Sequence, residues 1–221
     1  MIVALLPALN EETRIGGVIN KAYKFVDKVI VCDDGSTDST YDEALESGAE
    51  VIRHKKNMGY GAALRSLFVR AQALPAGAFV TIDSDGQHDS AYVPALAEPI
   101  LNREADVVIG SRFLSGRDST PAHRKIAIKL ITGLCDAVTR NELTDLQSGF
   151  RAYNSRALST TCPSRPGMGA STEIIMKATR SRLRMKEVAV PIHYNGDRTP
   201  PIESARQFFD VISSIVFPSL S

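Results

Sequence analysis

The stretch at residues 79–88 constrains the fold most, because two carboxylates directly follow a short apolar run there. The run FVTI is largely β-branched and uncharged, which is typical of a strand buried in a sheet. It continues into DSDGQH at residues 83–88. Side chains at positions i and i+2 of an extended chain point the same way, so Asp83 and Asp85 can converge on one ligand. A polar turn contains the same residue types, so this stretch alone leaves both readings open.

Similar apolar runs alternate with helical patterns along the chain. They predict five strands, at residues 2–10, 29–32, 50–53, 79–82 and 106–110. This alternation predicts an α/β domain in which a mostly parallel sheet carries helices on both faces. In such sheets ligands bind at the carboxyl ends of the strands. Polar residues follow four of these strands, namely Asn10, Asp33 with Asp34, Asp83 with Asp85, and Arg112.

Composition limits the classes of partner. A chain of 221 residues with 43% hydrophobic content can bury the core of one α/β domain. The 26 basic and 25 acidic residues nearly cancel, so the chain lacks the overall field of a nucleic-acid-binding protein. Three widely spaced cysteines, Cys32, Cys135 and Cys162, form neither a disulfide framework nor a zinc pattern.

The N-terminal sequence bears on location. Residues from Met1 onward show no basic region followed by a long apolar segment, so we expect no secretory signal. Nor does the sequence contain an uncharged apolar run of about 18 residues, the length that a spanning helix needs. We therefore expect a cytoplasmic protein that contacts a membrane, if at all, peripherally at its inner face.

A glycine-containing basic segment precedes the third predicted helix. Its sequence is KKNMGYG, at residues 55–61. Backbone N–H groups at a helix start can bind phosphate, and the lysines would add positive charge. A flexible basic turn would have the same composition. The two interpretations are equally supported by the local sequence.

Several motifs, taken in order, resemble those of the family 2 glycosyltransferases. They are PALNE at residues 7–11, DDGSTD at 33–38, DSDGQH at 83–88, GSRF at 110–113 and SGFR at 148–151. Within that family the chain is most similar to the dolichyl-phosphate mannose synthase branch, up to about Tyr194. The resemblance implies a GT-A fold for residues 1–195. Residues 196–221 would form a loop and an amphipathic helix, packed on the domain or at a membrane surface.

The resemblance also implies the reaction, which is transfer of a hexose from a nucleotide sugar to a polyprenyl (dolichyl) phosphate with inversion. It places six residues around the nucleotide base and ribose: Pro7, Ala8, Asn10, Glu12, Asp33 and Asp34. An acceptor such as the Asp34 carboxylate suits these groups, because base N–H groups and ribose hydroxyls donate. Ser84 and Arg124 are further expected contacts of the donor.

A divalent metal, Mg²⁺ or Mn²⁺, is implied as cofactor. Its expected ligands are Asp83, Asp85 and Gln87, whose oxygens are the hard donors that these ions prefer. Arg112 is expected to bind a phosphate through its planar guanidinium. Asp83, Asp85 and Arg112 are therefore the candidate catalytic residues, since a metal and an arginine can stabilise a departing nucleoside diphosphate without proton transfer.

The nature of the acceptor decides whether a general base is needed. A lipid phosphate monoester, with a second pKa of about 6, is largely a dianion at neutral pH and needs no base. Transfer to a sugar hydroxyl, the alternative, would require a carboxylate that takes the proton. Asp145 and Glu173 are candidates for that role. Each also suits a structural role, Asp145 as a turn cap and Glu173 near a helix N-terminus.

Two amphipathic segments bear on membrane contact. Residues 119–141 predict a helix with a basic start, formed by His123, Arg124, Lys125 and Lys129, and an apolar body. This pattern is typical of a helix at a membrane surface or of a core helix with a solvated end. Residues 206–217 predict a second amphipathic helix, whose polar face has few basic residues and therefore favours packing on the domain.

The donor sugar and the class of activity leave alternatives open. A further predicted strand, at residues 188–194, runs into NGDRTPP at residues 195–201, where only Arg198 could replace the basic stretch of mannose synthases. GDP-mannose, UDP-glucose and a UDP-N-acetylhexosamine therefore all remain candidate donors. A non-catalytic module that binds nucleotide sugar or lipid phosphate is the other class, and a separate membrane protein is a candidate partner. A dehydrogenase or a nucleotidyltransferase is disfavoured, because no glycine-rich signature follows the first strand.

Overall fold

The computed structural model describes residues 1–114 and 143–191. Within these ranges seven strands form one sheet. They are β1 (Ile2–Ala8), β2 (Lys28–Asp33), β3 (Glu50–Arg53), β4 (Ala78–Thr81), β5 (Val107–Ser111), β6 (Arg151–Tyr153) and β7 (Met185–Ala189). The α-helices of the same ranges are α1 (Ile15–Ala22), α2 (Thr40–Glu46), α3 (Tyr60–Ala71), α4 (Val93–Leu101), α5 (Ser155–Thr160) and α6 (Ala170–Arg180).

The sheet is mostly parallel, as the sequence predicts. Its strand order is β3-β2-β1-β4-β6-β5-β7, and only β6 runs antiparallel to its neighbours in the described sheet. The chain winds outward from β1 to β3 and then crosses to β4 on the other side of β1. The strand order therefore reverses between β1 and β4, which is where α/β sheets bind ligands.

The sheet opens at this reversal point. β1 pairs with β2 as far as Ala8 and Asp33, but with β4 only as far as Leu5 and Thr81. Pro7 favours this opening at the carboxyl end of β1, because it has no N–H to donate. Beyond the opening, the Ser84 hydroxyl donates to the Pro7 carbonyl at 2.8 Å. This bond fixes the loop after β4 beside the end of β1.

Both faces of the sheet are buried. Successive residues of β1 point to opposite faces, so Val3 and Leu5 join one apolar cluster while Ala4 and Leu6 join the other. Helices α3, α5 and α6 cover the first cluster, and α1, α2 and α4 cover the second. Burying one leucine or phenylalanine side chain contributes about 1.5–3 kcal/mol. These two cores hold the strand ends in place, and the predicted arrangement of helices on both faces is confirmed.

Two elements differ from the prediction. The sequence pattern predicts one helix over residues 91–103, but this helix is split, because Ser90–Tyr92 forms a 3₁₀ turn that the Asp89 side chain caps at 3.0 Å from the N–H of Ala91. Only Val93–Leu101 is α-helical, with Pro99 inside its last turn. The short strand β6 was not predicted, since three residues that begin with arginine show no strand pattern.

Three expectations lie outside the described residues. They are the helix at 119–141 with Arg124, the helix at 206–217, and the division of the chain after residue 195. Among the described residues, the helices are too short or too polar to cross a membrane.

Candidate active site

A cavity of about 650 Å³ lies at the carboxyl ends of β1, β2 and β4. Its size is typical of pockets that hold small ligands. Six residues that the sequence predicted for the site line it: Pro7, Ala8, Asp34, Asp83, Ser84 and Asp85. The structure therefore brings three separate strand ends to one cavity, as the polar residues after the strands indicated.

Asp83 and Asp85 lie at the end of β4. Oδ1 of Asp83 is 3.4 Å from the Tyr60 hydroxyl, and Oδ2 is 3.7 Å from Nδ1 of His88. The Asp83 carboxylate also lies against the backbone at Gly149, where a Cβ would come within 2.6 Å of Oδ1. Oδ1 of Asp85 accepts the N–H of Gln87 at 2.9 Å. Both carboxylates line the cavity.

Ionisation of this pair is disfavoured. Burial raises the pKa of Asp83, although the Tyr60 hydrogen bond and the Arg112 charge act in the opposite direction. Burial, and then the charge of Asp83, raises the pKa of Asp85. Adjacent carboxylates repel one another when both are ionised, and a divalent cation removes that repulsion. The pair therefore fits a Mg²⁺ or Mn²⁺ ion.

This part of the chain supplies two carboxylates rather than a complete set of metal ligands. No group of three or more His, Cys, Asp or Glu side chains within residues 1–114 and 143–191 is arranged to hold a metal. Gln87, the third expected ligand, supports Asp85 through its backbone and is not among the described residues that line the cavity. The other ligands of an ion here would be oxygens of another source, such as a diphosphate.

Arg112 is held by Asp145. Its Nε and Nη2 atoms donate to the two carboxylate oxygens of Asp145 at 2.6 and 2.7 Å, and its backbone N–H adds a third bond at 3.1 Å. Asp145 is completely buried. Such a bidentate pair fixes the plane of the guanidinium. Asp145 therefore acts as an arginine partner in this structure, which favours its structural role over that of proton acceptor.

The Glu173 carboxylate also has partners within the protein. It accepts the backbone N–H groups of Ser164 and Arg165 at 2.9 Å each and the ammonium of Lys177 at 2.7 Å. Burial acts to raise the pKa of Glu173, but these bonds outweigh it and lower the pKa to about 2. Glu173 thus tethers the loop at residues 163–169, which lines the cavity with Gly167 and Met168.

His88 supports the loop after β4 as a neutral ring. It is buried and stacks on Phe150, with the ring centroids 5.0 Å apart. Burial lowers the pKa of His88 to about 4. Its Nδ1 atom lies 3.4 Å from the backbone N–H of Asp83, so the neutral imidazole can accept that hydrogen bond. This contact fixes the backbone that presents the Asp83 carboxylate.

The aspartates after β2 are surrounded by hydrogen-bond donors. Asp34 accepts Nδ1–H of His54 at 2.6 Å and the backbone N–H groups of Met58 and Gly59 at 3.0 and 2.7 Å. Asp33 accepts the N–H of Ser36 at 3.0 Å and forms an ion pair with Arg53 at 3.1 Å. Asp34 lines the cavity, whereas the fully buried Asp33 is not among the described lining residues.

The same contacts decide against a phosphate cradle at residues 55–61. The N–H groups of Met58 and Gly59 bind Asp34, and the N–H of Gly61 donates to the Pro166 carbonyl at 2.7 Å. Phosphate binding at a helix start requires backbone donors that point at the ligand. These donors have protein partners instead, because the loop at 163–169 packs over the start of α3.

Asn10 and Glu12 join the loops after β1 and β2. The Asn10 side chain accepts the N–H of Thr37 at 3.0 Å, and Glu12 accepts the N–H of Ser39 at 3.0 Å. Neither is among the described residues that line the cavity, whereas Glu11 is. Asn10 has a φ of +54°, in the left-handed region. This turn changes the side of the loop on which each side chain lies.

Several lining residues were not predicted as site residues, namely Leu9, Glu11, Ala63, Gln147, Gly149, Gly167, Met168 and Ser171. Asn57, Gly59 and Tyr60, which also line the cavity, belong to the segment at residues 55–61 that was considered as a phosphate site. One of the residues that were not predicted, Gln147, has a polar side chain whose Nε2 donates to the Thr172 hydroxyl at 2.9 Å. Its position inside TDLQSGFR, beside the SGFR motif, was the available signal.

Comparison with known proteins places this architecture in a family. The model of the family described as Glycosyl transferase family 2 matches residues 4–161. A UDP-N-acetylglucosamine–dolichyl-phosphate N-acetylglucosaminyltransferase of Methanococcus voltae is 28% identical over 216 residues, which cover 88% of this chain and 86% of the relative. A dolichyl-phosphate hexose transferase of Haloferax volcanii is 28% identical over 200 residues, with coverages of 90% and 85%.

Solved structures share the fold. Glucosyl-3-phosphoglycerate synthase from Mycobacterium tuberculosis, in complex with Mn²⁺, uridine diphosphate and glucosyl-3-phosphoglycerate, superposes with a TM-score of 0.77 at 26% identity. The match covers 97% of this chain and 78% of that one. The predicted GT-A fold is therefore confirmed.

Proposed function

This chain belongs to glycosyl transferase family 2, and we propose that it transfers a hexose from a nucleoside diphosphate sugar to a polyprenyl (dolichyl) phosphate. The observation that carries the proposal is the cavity at the strand reversal, where Asp83 and Asp85 lie close together with raised pKa values. A site of this kind suits a metal-bound diphosphate. The names of the relatives in Methanococcus voltae and Haloferax volcanii support the lipid phosphate as acceptor.

Different residues that line the cavity would contact different parts of the donor. Pro7, Ala8 and Asp34 line the part of the cavity beside β1 and β2 and would contact the base. Glu11, rather than the predicted Glu12, lines the cavity and would accept a ribose hydroxyl. Ser84 links the two halves, because its hydroxyl already binds the Pro7 carbonyl.

Asp83 and Asp85 would hold Mg²⁺ or Mn²⁺ beside the donor diphosphate. A bound divalent ion supplies charge stabilisation of the departing diphosphate oxygens without proton transfer. Arg112, fixed by Asp145, is not among the described residues that line the cavity, but its charge acts on Asp83 and would add to the positive charge beside the diphosphate. The complex of the Mycobacterium tuberculosis synthase contains Mn²⁺, which supports a metal in the related fold.

The class of acceptor can be argued from the carboxylates that already have hydrogen-bond partners in the protein. Asp145 binds Arg112, and Glu173 binds Ser164, Arg165 and Lys177. Neither is arranged to take a proton. An acceptor that is already a dianion, such as a phosphate monoester, needs no such base. This arrangement therefore favours a lipid phosphate acceptor over a sugar hydroxyl, and a lipid acceptor would bring the protein to the inner membrane surface.

A second candidate acceptor comes from the solved structures. The Mycobacterium tuberculosis enzyme of similar fold is a glucosyl-3-phosphoglycerate synthase, whose complexes contain phosphoglyceric acid. A small phosphorylated acid therefore belongs in the same assay as the lipid.

The test is turnover with purified protein, Mn²⁺ and a panel of donors: GDP-mannose, UDP-glucose and UDP-N-acetylglucosamine. Each donor is combined with a polyprenyl phosphate or with 3-phosphoglycerate. We expect a lipid-linked hexose with one donor and none with 3-phosphoglycerate. Donor binding without any product would instead indicate a non-catalytic binding module.

A further inference from the structure

A series of polar side chains leads from α3 to the cavity. The Ser66 hydroxyl lies 2.8 Å from Nε2 of His54, and Nδ1 of His54 lies 2.6 Å from Oδ1 of Asp34. The side chains of His54 and Asp34 are 10% and 4% exposed. A carboxylate oxygen accepts, so Nδ1–H of His54 donates to Asp34 while Nε2 contacts the Ser66 hydroxyl.

The acceptor positions of Asp34 are unevenly filled. A carboxylate offers about four such positions, two on each oxygen. Among the described residues, Oδ1 receives His54 and the N–H of Met58, whereas Oδ2 receives only the N–H of Gly59. One position on Oδ2 is left for a further donor. Asp34 lines the cavity, so that donor can come from a ligand.

We propose that His54 is a positioning residue for base recognition, which holds Asp34 so that the remaining acceptor position of Oδ2 serves a ring N–H of the nucleobase. The inference rests on the proposed function, since it takes the cavity to bind a nucleoside diphosphate. Uracil and guanine carry a ring N–H. Cytosine presents a bare ring nitrogen at the corresponding position, which a carboxylate repels.

His54 is suited to this role by the length and place of its bond. The 2.6 Å contact is the shortest that Asp34 makes among the described residues, and it is the only one from a side chain. Without it the two backbone donors would still bind the carboxylate. Asp34 would then have two unfilled acceptor positions and could adopt more than one orientation. The preference of the site for a base with a ring N–H would weaken, although the fold would persist.

A matched pair of substitutions tests this role. Asn places its amide near the position of Nδ1 and can still donate to Asp34, whereas Gln places its amide near Nε2 and keeps only the contacts of that atom with Ser66 and Cys32. Binding of UDP, GDP and CDP is measured by calorimetry with Mn²⁺ for wild type, His54→Asn and His54→Gln. Ser66→Ala, which leaves the Asp34 bond in place, is the control. Thermal melting of each variant reports folding separately.

We expect the wild type to bind UDP or GDP at least about tenfold more tightly than CDP, the effect of one hydrogen bond to a charged group. His54→Gln should reduce this preference to about threefold or less, whereas His54→Asn and Ser66→Ala should retain most of it. An unchanged preference in His54→Gln, an equal loss in His54→Asn, or a wild type without preference would each overturn the inference. A wild type that binds none of the three nucleotides would contradict the proposed function instead.

Discussion

Two pairs of aspartates occupy equivalent places, after β2 and after β4, but their surroundings differ. Asp33 and Asp34 are surrounded by hydrogen-bond donors of the protein, including Arg53 and His54. Asp83 and Asp85 line the cavity, where burial raises the pKa of both carboxyls and the charge of Asp83 further raises the pKa of Asp85. The sequence DD is followed by glycine and DSD is followed by glycine as well, so the motifs alone look alike. From this difference we propose structure and base recognition as the roles of the first pair and metal binding as the role of the second.

The largest expected effect is on turnover. Asp85→Asn removes one carboxylate of the proposed metal site and should lower kcat/KM by about 100-fold or more, as loss of transition-state charge stabilisation does. Because Asp85 contributes little favourable contact in the metal-free protein, its melting temperature should not fall. The exposed Asp42 of α2 provides the control, and Asp42→Asn should leave both quantities unchanged. Full activity in Asp85→Asn would remove the distinction between the two pairs.

For the pair after β2 we expect a substitution to lower the stability of the fold. Asp34→Ala leaves His54 and the N–H groups of Met58 and Gly59 without their acceptor, and unsatisfied buried groups are costly. The free energy of unfolding should fall by about 2–4 kcal/mol. Urea denaturation of wild type and Asp34→Ala measures this loss. A change below about 1 kcal/mol would show that these contacts do not hold the loop.

Glu173 extends the comparison, since it is an acid with protein partners like Asp34. The pKa of Glu173 is lowered from 4.5 to about 2 because its hydrogen bonds outweigh the opposing effect of burial. A depressed pKa contributes stability above the unfolded value, and that stability is lost as pH falls through the folded value. Glu173→Gln should therefore be less stable than wild type by about 2 kcal/mol at pH 7.

The pH dependence distinguishes this effect from a loss of packing. The difference between wild type and Glu173→Gln should shrink as the pH is lowered from 4.5 towards 2, because the wild-type carboxyl then becomes protonated. Thermal melting across this range follows the change. A difference that stays constant with pH would mean that the Glu173 charge is unimportant.

The smallest effect concerns Asp85 in the absence of metal. The pKa of Asp85 is raised, so its ionised form destabilises the folded protein at pH 7, opposite to the effect of Glu173. This destabilisation disappears as the pH falls towards the ordinary value of 3.8. Asp85→Asn in EDTA should thus be more stable than wild type at pH 7, by about 1 kcal/mol or less. At pH 4 the two proteins should melt alike. A less stable variant at pH 7 would show that Asp85 is held by the protein.

The sequence was sufficient for the frame of the fold. Uniform apolar runs predicted β1 to β5, and residues 50–53 were predicted with the bounds that β3 has. The polar residues that follow those strands correctly indicated one edge of the sheet. The antiparallel β6 could not be seen, because Arg151 is a charged residue whose burial depends on the carbonyls of Leu146 and Ser171.

The site was harder to predict wherever a role depends on contacts distant in sequence. Glu11 and Glu12 are adjacent acids, but only Glu11 is among the described residues that line the cavity, since Glu12 accepts the N–H of Ser39. The occupied state of Glu173 depends on Ser164 and Lys177, which a local pattern does not reveal. The motifs therefore predicted the position of the cavity better than they predicted the contacts of each acidic side chain.

The central claim is that the acids after β4 hold a divalent ion and those after β2 do not. Mn²⁺ binding, followed by electron paramagnetic resonance, tests it on wild type, Asp85→Asn and Asp34→Asn, each at saturating UDP because Asp34→Asn should itself weaken UDP binding. We expect one bound Mn²⁺ per chain in wild type and Asp34→Asn, and none at the same Mn²⁺ concentration in Asp85→Asn. Undiminished Mn²⁺ binding by Asp85→Asn would contradict it.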